Sequence, residues 1–526
     1  MGAVCDKICN GEMLSSMKPK RNTKNNKNQS LIQYQIMKEL KRTSGQHFDS
    51  YYDVFDNEDE ERVARSKENI RNRYNFDEES IGEGGFGTVA RGTLKSDKNR
   101  VFAIKTISKE GNVSDLTLFL KEIEMLKVLD HPNLVKFYEV YEDKYSYHLV
   151  IEHLSGGELQ EYWEEKEGFS EEETKSFLWQ ILLAVNYLHC RKIAHRDIKP
   201  ENFLFTNQKR EKIKLIDFGL SQTYQNRKLK TIAGSPMYLS PQVLDQTYTE
   251  KCDVWSAGVM MYQFVTGIMP FDGQNNNSIF DQIYRGHLNF IPVKNSKISE
   301  DGQDLLNKML EYDEESRISA DEALNHPWFQ PKLDQVVSLG KQCLTKDMLS
   351  NLTAFSISSV FQREMIGLMV QTFDEEEMVE RIYNAFLYFD KDFSGTIQAE
   401  EIADMYRNLG YEMNNSTIEN IVDSLYLKEK GIITFMEFVA GTLGYSYFAD
   451  EERLKVLFEF LDADNSGYIG FADINMCFRR FGRNLSRSRI NNMIRECDIN
   501  GDNEISFDEF KDLLCKRPNR RLESFN

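Results

Sequence analysis

The sequence predicts a multidomain chain of mixed class, α+β over residues 74–329 and all-α from residue 374 onward. Strand-like alternation opens near Tyr74 and passes through three short apolar runs before helical periodicity takes over, as in units that segregate strands from helices. Beyond residue 389, twelve-residue acidic loops recur with one spacing between helix-length segments. A chain of 526 residues also exceeds a single core and divides into about two to four domains. The expected order is a tail (1–73), the α+β unit (74–329), a junction (330–373) and two helical pairs (374–445 and 446–526).

With 40% hydrophobic and 28% charged residues the chain reads as globular and soluble, and no run of 18 apolar residues proposes a membrane-spanning helix. Eight cysteines show neither metal spacing nor a dense disulfide framework, which points to a reducing, cytoplasmic setting. A net charge of −19 argues against nucleic acid as a partner. The tail differs in being polar, Asn-rich and basic, with Lys18, Lys20, Arg21, Lys24 and Lys27 close together, and reads as solvated and disordered. Its first residues lack a secretory signal, but Gly2, Cys5 and Cys9 fit a doubly acylated anchor at a membrane periphery, against which Asp6 stands where Ser or Thr is preferred.

Residues 81–89 read IGEGGFGTV, so Ile81, Gly82, Gly84, Gly87 and Val89 make a glycine-rich hairpin whose backbone can close over phosphates. The pattern alone also fits a dinucleotide site. No helix opens after Gly87, however; two more strands follow, the second carrying Ala103 and Lys105 in VFAIKTI, where Lys105 reads as a phosphate ligand. A helical pattern over 116–129 then places Glu122, preferred to Glu124, to pair with Lys105. The strand YHLVIEHL leads to GGEL, with Ile151 at the back of a nucleotide pocket and residues 152–154, Glu152 to Leu154, offering backbone groups to an adenine edge.

The stretch AHRDIKPENFLF (194–205) holds H-R-D-x-x-x-x-N. Asp197 can orient and deprotonate an attacking hydroxyl, and Asn202 five residues later can hold a metal against phosphates. Leu204 supplies an apolar floor beneath the base, and KLIDFGL (214–220) brings Asp217 as the second carboxylate for Mg²⁺. In this order the motifs resemble the eukaryotic-type protein kinases across residues 74–329. The resemblance implies a bilobal fold with ATP in the cleft, Asp197 as base, Lys199 on the transferred phosphate, and Ser/Thr acceptors. It also implies that Glu158 and Glu201 meet basic residues before the acceptor; Glu158 borders the nucleotide site as well. One departure is Ser-Pro-Gln (240–242) for Ala-Pro-Glu, which leaves Gln242 to bond Arg317 without charge assistance. Thr231 and Ser235 are candidate phosphorylation positions in the same segment.

Over 330–373, Leu349, Leu352, Phe355, Phe361, Met365, Ile366 and Met369 recur at three- and four-residue steps and predict one amphipathic junction helix, either plain inter-domain packing or a regulatory element that obstructs the kinase. Three calcium loops follow. The first offers Asp390, Asp392, Ser394, Thr396 and Glu401. The second offers Asp462, Asp464, Ser466, Tyr468 and Asp473, and the third Asp498, Asn500, Asp502, Glu504 and Glu509. Asp473 is a shorter closing carboxylate that weakens calcium or admits Mg²⁺, and Asn503 replaces the sixth-position Gly. A fourth loop, 426–437, keeps Gly431, Ile433 and Glu437 but has Tyr426, Lys428 and Lys430 at oxygen positions, and reads as a hand without metal.

The whole chain resembles the calcium-dependent protein kinases of plants and protists, in which kinase, junction and calmodulin-like EF-hand domain share one polypeptide. The resemblance implies a monomer using ATP, Mg²⁺ and Ca²⁺, held off by its junction and released when the hands grip it. Junction positions that are usually basic in that family are Asn351, Thr353 and Val360 here, which weakens the case for a lysine-based plug. The rival readings are a non-catalytic calcium-sensing scaffold, against which Lys105, Asp197 and Asp217 stand, and a kinase controlled by separate calmodulin, against which the fused hands stand.

Overall fold

Alternation of apolar and polar residues becomes a five-stranded antiparallel sheet in the order β1-β2-β3-β5-β4: β1 Tyr74–Gly84, β2 Gly87–Leu94, β3 Val101–Ser108, β4 Phe137–Glu142 and β5 Ser146–Glu152. This is seen in a computed structural model that describes residues 69–516, apart from 85–86, 226, 287, 297, 356–358, 372–374, 411–417, 420 and 423–430. The expectations for Gly2, Cys5, Cys9 and the basic tail, and for Tyr426, Lys428 and Lys430, lie outside the described residues. Both faces of the sheet are covered. Phe102 and Ile104 pack with Tyr74, Tyr141 and Val150 on one side, while Ala103 and Ile107 join Phe119 and Ile123 of helix α1 (Val113–Leu126) on the other. That helix starts three residues before the expected position, because the Asn112 side chain caps it by accepting from Ser114 N–H.

Below the sheet the chain turns helical. Helix α2 (Leu159–Glu165) leads to α3 (Glu171–Cys190), which opens on a Ser170–Glu173 capping box and is buried on nearly every side, as is α4 (Lys251–Thr266) packed beside it. Among the described residues no helix is long and apolar enough to cross a membrane.

The junction is not the single helix that its periodicity predicts. It forms α5 (Gln330–Cys343), α6 (Lys346–Ala354) and α7 (Val360–Gln371). Leu344 turns extended, and Thr345 starts a new helix by accepting from Met348 N–H. Phe355 leaves the helical region because its ring is drawn between Tyr445 and Phe448. Helix α5 buries Val336 in the core of the α+β unit, whereas the hydrophobic period survives the later break because α6 and α7 show their apolar sides to the same partner.

That partner is the second core. Helices α8 (Glu376–Phe389), α9 (Ala399–Asn408) and α10 (Phe435–Leu443) belong to the first pair, and α11 (Glu451–Leu461), α12 (Phe471–Arg480), α13 (Arg487–Cys497) and α14 (Phe507–Cys515) to the second. Loops pair through short strands: Thr396–Gln398 runs antiparallel to Ile432–Thr434 with Ile397 opposite Ile433, and Ile469 bridges Ile505. Leu352, Phe355, Phe361, Met365 and Ile366 of the junction are buried in the same cluster as both pairs. Leu387 and Phe393 of the first pair, however, belong to the core of the α+β unit.

Candidate active site and calcium loops

The cleft is built on local geometry. Gly87 has φ +152°, and a Cβ there would lie 2.2 Å from the Thr106 carbonyl oxygen, so the hairpin lies on β3 as only glycine allows. Gly82 pairs with Val89, Gly84 with Gly87, Val89 with Lys105, and Ala103 with Ile151, which gathers these residues on adjoining strands; Ile81 is exposed. Lys105 Nζ meets Glu122 Oε2 at 2.6 Å, whereas Glu124 bonds Lys127. Helical spacing explains the choice: Glu122 lies on the buried side of α1 and Glu124 does not. Burial opposes the charge of Lys105, but Glu122 and Asp217 outweigh it and hold the ammonium protonated.

One expectation is narrowed at the lobe connection. Glu152 N–H donates to the Lys136 carbonyl, and the Glu152 carboxylate holds Lys214 Nζ at 2.7 and 2.9 Å. Glu152 bolts strand to strand, and its N–H is not available to an adenine edge. Its carbonyl and the backbone of residues 153 and 154 remain for that edge. Leu204 bridges to Glu158, which caps α2 with Glu161.

The 194–205 stretch is held from behind. Buried Asp253 on α4 accepts His195 N–H at 2.8 Å, Arg196 N–H at 2.7 Å and the His189 ring at 3.0 Å, so the backbone before Asp197 is fixed, with Arg196 at φ 72°. Asn202 Nδ2 donates to Asp197 O at 2.7 Å and Oδ2 at 3.0 Å, and Lys199 Nζ lies 3.2 Å from Asp197 Oδ2. Ser235 donates to Asp197 Oδ1 through N–H at 2.9 Å and Oγ at 2.8 Å, and accepts Lys199 Nζ at 2.9 Å. Burial alone would raise the Asp197 carboxyl; the Lys199 charge, the Ser235 hydrogen bond and His195 together hold it below the usual carboxylate range. Asp217 accepts Gly219 N–H at 2.9 Å. The cluster therefore presents an ionised carboxylate, a neighbouring ammonium, and an amide and second carboxylate of the hard-oxygen type that suits Mg²⁺. The grip of Ser235 on Asp197 was not legible in the sequence, where Ser235 stood out only as a hydroxyl. Gln242 accepts from Arg317 Nη2 at 2.8 Å as expected, with burial lowering the guanidinium to about 10.

Two calcium loops gather their acids. One oxygen from each of Asp390, Asp392 and Glu401 lies within 4.8 Å of the others, and likewise for Asp462, Asp464 and Asp473. Burial, then Glu401 and Asp392, pushes the Asp390 carboxyl well above its ordinary value, a repulsion that a divalent cation relieves. Burial likewise raises Glu401 and Asp473. Asp390 accepts the N–H groups of Ser394 and Gly395, Asp462 those of Ser466 and Gly467, and Asp498 those of Gly501 and Asn503. Ser394 and Ser466 donate to the carbonyls of Thr396 and Tyr468, and Glu504 N–H donates to Asp502. In the third loop Asn500 Nδ2 also donates to Asp502, and Glu509 accepts Ile499 and Asn500 N–H. Asn503 adopts φ 65°, the left-handed turn for which Gly is usual. These donor sets, all oxygen, fit calcium.

Known protein families match the chain in three stretches. Residues 76–329 match the protein kinase domain, and residues 394–442 and 451–515 each match an EF-hand domain pair. Calcium-dependent protein kinase 3 of Plasmodium berghei is 33% identical over 454 residues, 85% of this chain and 81% of that protein. Calcium-dependent protein kinase 17 of Arabidopsis thaliana is 33% identical over 459 residues, 86% of this chain and 85% of that one. Calcium-dependent protein kinase 4 of Plasmodium falciparum shows the same identity over 83% and 85%. Sharing a third of its residues along more than four fifths of such relatives, the chain belongs to the calcium-dependent protein kinases: it is a calcium-activated serine/threonine kinase that uses ATP, Mg²⁺ and Ca²⁺.

Proposed function

We propose that Asp197 accepts the proton of the protein Ser/Thr hydroxyl as that oxygen attacks the γ-phosphorus of ATP, with Lys199 stabilising the charge that develops on the transferring group. Asn202 and Asp217 would hold Mg²⁺, which when bound neutralises phosphate charge, and Lys105, kept in place by Glu122, would hold the remaining phosphates. The observation that carries this assignment is the closed cluster of Asp197, Lys199, Asn202 and Ser235, in which every contact orients the carboxylate while leaving it ionised.

Substrates would carry basic residues before the acceptor. Burial, then Glu161 and Glu201, raises the Glu158 carboxyl, and Glu201 Oε2 is buried without a hydrogen-bond partner among the described residues. Such an acidic pair favours Arg or Lys in a bound peptide. The membrane anchor at Gly2, Cys5 and Cys9 and a location at the cytoplasmic membrane surface belong to this proposal on sequence grounds.

Calcium would act through the loops at Asp390, Asp462 and Asp498, and without it the junction would hold the kinase off. Support comes from the positions usually basic in the family: Asn351 Nδ2 donates to the Thr442 carbonyl at 2.9 Å, and Thr353 Oγ1 donates back to Leu349 and Ser350. Asn351 thus ties the junction to the hands and Thr353 bonds within its own helix, and neither side chain carries the charge of a substrate mimic. A peptide array phosphorylated in calcium and in chelator tests the reading. Calcium-dependent use of Arg/Lys-preceded Ser/Thr is expected; full activity in chelator, or equal use of acidic peptides, would refute the corresponding part.

A further inference from the structure

Each calcium loop needs a left-handed residue at its fourth position, and the three loops supply it differently. The second has Asn465 at φ 56° and the third Gly501 at φ 83°, residue types that adopt this conformation readily, and both are exposed. The first has Phe393 at φ 52°. A bulky aromatic residue persists in that conformation only where its surroundings impose it. The surroundings are the kinase. Phe393 is buried edge-on against Trp179 of α3, with ring centroids 5.1 Å apart, and Asn186 of the same helix donates through Nδ2 to the carbonyls of Phe393 at 2.8 Å and Asp392 at 3.1 Å. Gly395 lies so close that a Cβ would approach Tyr187 Cδ2 to 2.3 Å. Around this contact, Tyr383 OH donates to Asn133 Oδ1 at 3.1 Å, and Met436 N–H donates to Asp130 Oδ2 at 3.0 Å.

We propose that Asn186, a kinase-lobe residue far along the chain from any calcium ligand, is a positioning residue for calcium at the first loop. By pinning two successive carbonyls beside the ligand Asp392, it holds the loop backbone before the ion arrives, so less conformational freedom is lost on binding. Linkage then requires the reverse: calcium at this loop strengthens its seat on α3 by the same factor. The catalytic lobe thereby senses one ion directly, in parallel with the junction. The inference rests on the reading of residues 390–401 as a calcium loop.

The test uses the full chain and calcium alone, followed by calorimetry and by hydrogen exchange. Asn186→Leu keeps the side chain's size and removes both donors. It should weaken one of three calcium sites about five- to tenfold, from the loss of two modest hydrogen bonds, and leave the other two unchanged. Asn186→Gln, which keeps an amide donor, should restore part of the loss. Three unchanged affinities, or an equal loss at all three, would overturn the proposal. A second measurement needs no folded Asn186 variant. In the wild type, calcium should slow exchange at residues 186–190, and in Glu401→Gln it should not; equal slowing in both would also overturn it. If Glu401→Gln still binds as many ions as the wild type, the calcium-loop reading itself fails. If it loses one ion while Asn186→Leu changes nothing, only the present inference fails.

Discussion

The hold of the hands on the junction can be tested at one carboxylate. Glu364 on α7 is 5% exposed and accepts from Arg483 Nη1 and Nη2, at 2.6 and 2.9 Å, and from Arg489 Nη2 at 2.8 Å. Removing one partner of a buried ion pair costs about 3–5 kcal/mol, mostly from stranding the other. Here the two arginines are 44% and 48% exposed and rehydrate once released, so Glu364→Ala should cost less, about 2.5 kcal/mol. That is a factor of about 60 in the grip. If three bound ions are linked to one grip, the half-activating calcium concentration rises by the cube root of that factor, about fourfold. If saturating calcium holds the wild type about 99% gripped, the variant retains about 60% of the maximal rate. Peptide phosphorylation across buffered free calcium measures both quantities. An unchanged midpoint with an unchanged maximum would refute the link between this contact and activation.

Other outcomes follow from the same geometry. Asp197→Ala should lower phosphoryl transfer by at least about 100-fold while nucleotide affinity changes little, since a general base acts on transfer more than on binding; paired rate and nucleotide-titration measurements check this. Native mass spectrometry should count three calcium ions per chain, and Glu401→Gln and Glu509→Gln should each raise the calcium needed for activity. Gly2→Ala should move the protein from the membrane to the soluble fraction of a fractionated cell. The Arg483 and Arg489 charges outweigh burial and hold Glu364 below its ordinary value of 4.5. Its stabilising contribution is therefore complete above that value and is lost as pH falls through the lower, folded one. The difference in Tm between wild type and Glu364→Gln, taken in saturating calcium, should stay constant through neutral pH and shrink in acid.

What could be read in the sequence depended on how local each constraint is. Gly87, Lys105, Asp197, Asn202 and Asp217 stand in short segments whose spacing is fixed by strand, turn and loop geometry, so their grouping could be anticipated residue by residue. Glu122 could be preferred to Glu124 because one helix buries only one side. The break of the junction at Phe355 could not be anticipated, because what ends the helix is an aromatic pocket formed by Tyr445 and Phe448, about ninety residues later. The same holds for Ser235 on Asp197 and for Asn351 on the Thr442 carbonyl, each a pairing of elements that only the folded chain brings together. Phe393 did leave a trace. An aromatic residue where sister loops carry Asn and Gly is a local oddity that becomes sensible once the loop has a wall to lean on.

The placement of Leu387 and Phe393 inside the kinase core has a practical meaning for dissection of the protein. A chain truncated after residue 329 to obtain a calcium-independent enzyme would uncover Trp179, whose ring otherwise lies between Phe329 and Phe393. Fresh apolar surface of that kind favours self-association. The catalytic half and the sensing half are consequently not interchangeable cassettes joined by a tether: the sensing half supplies part of the catalytic half's interior, and a cut between them lays that interior open.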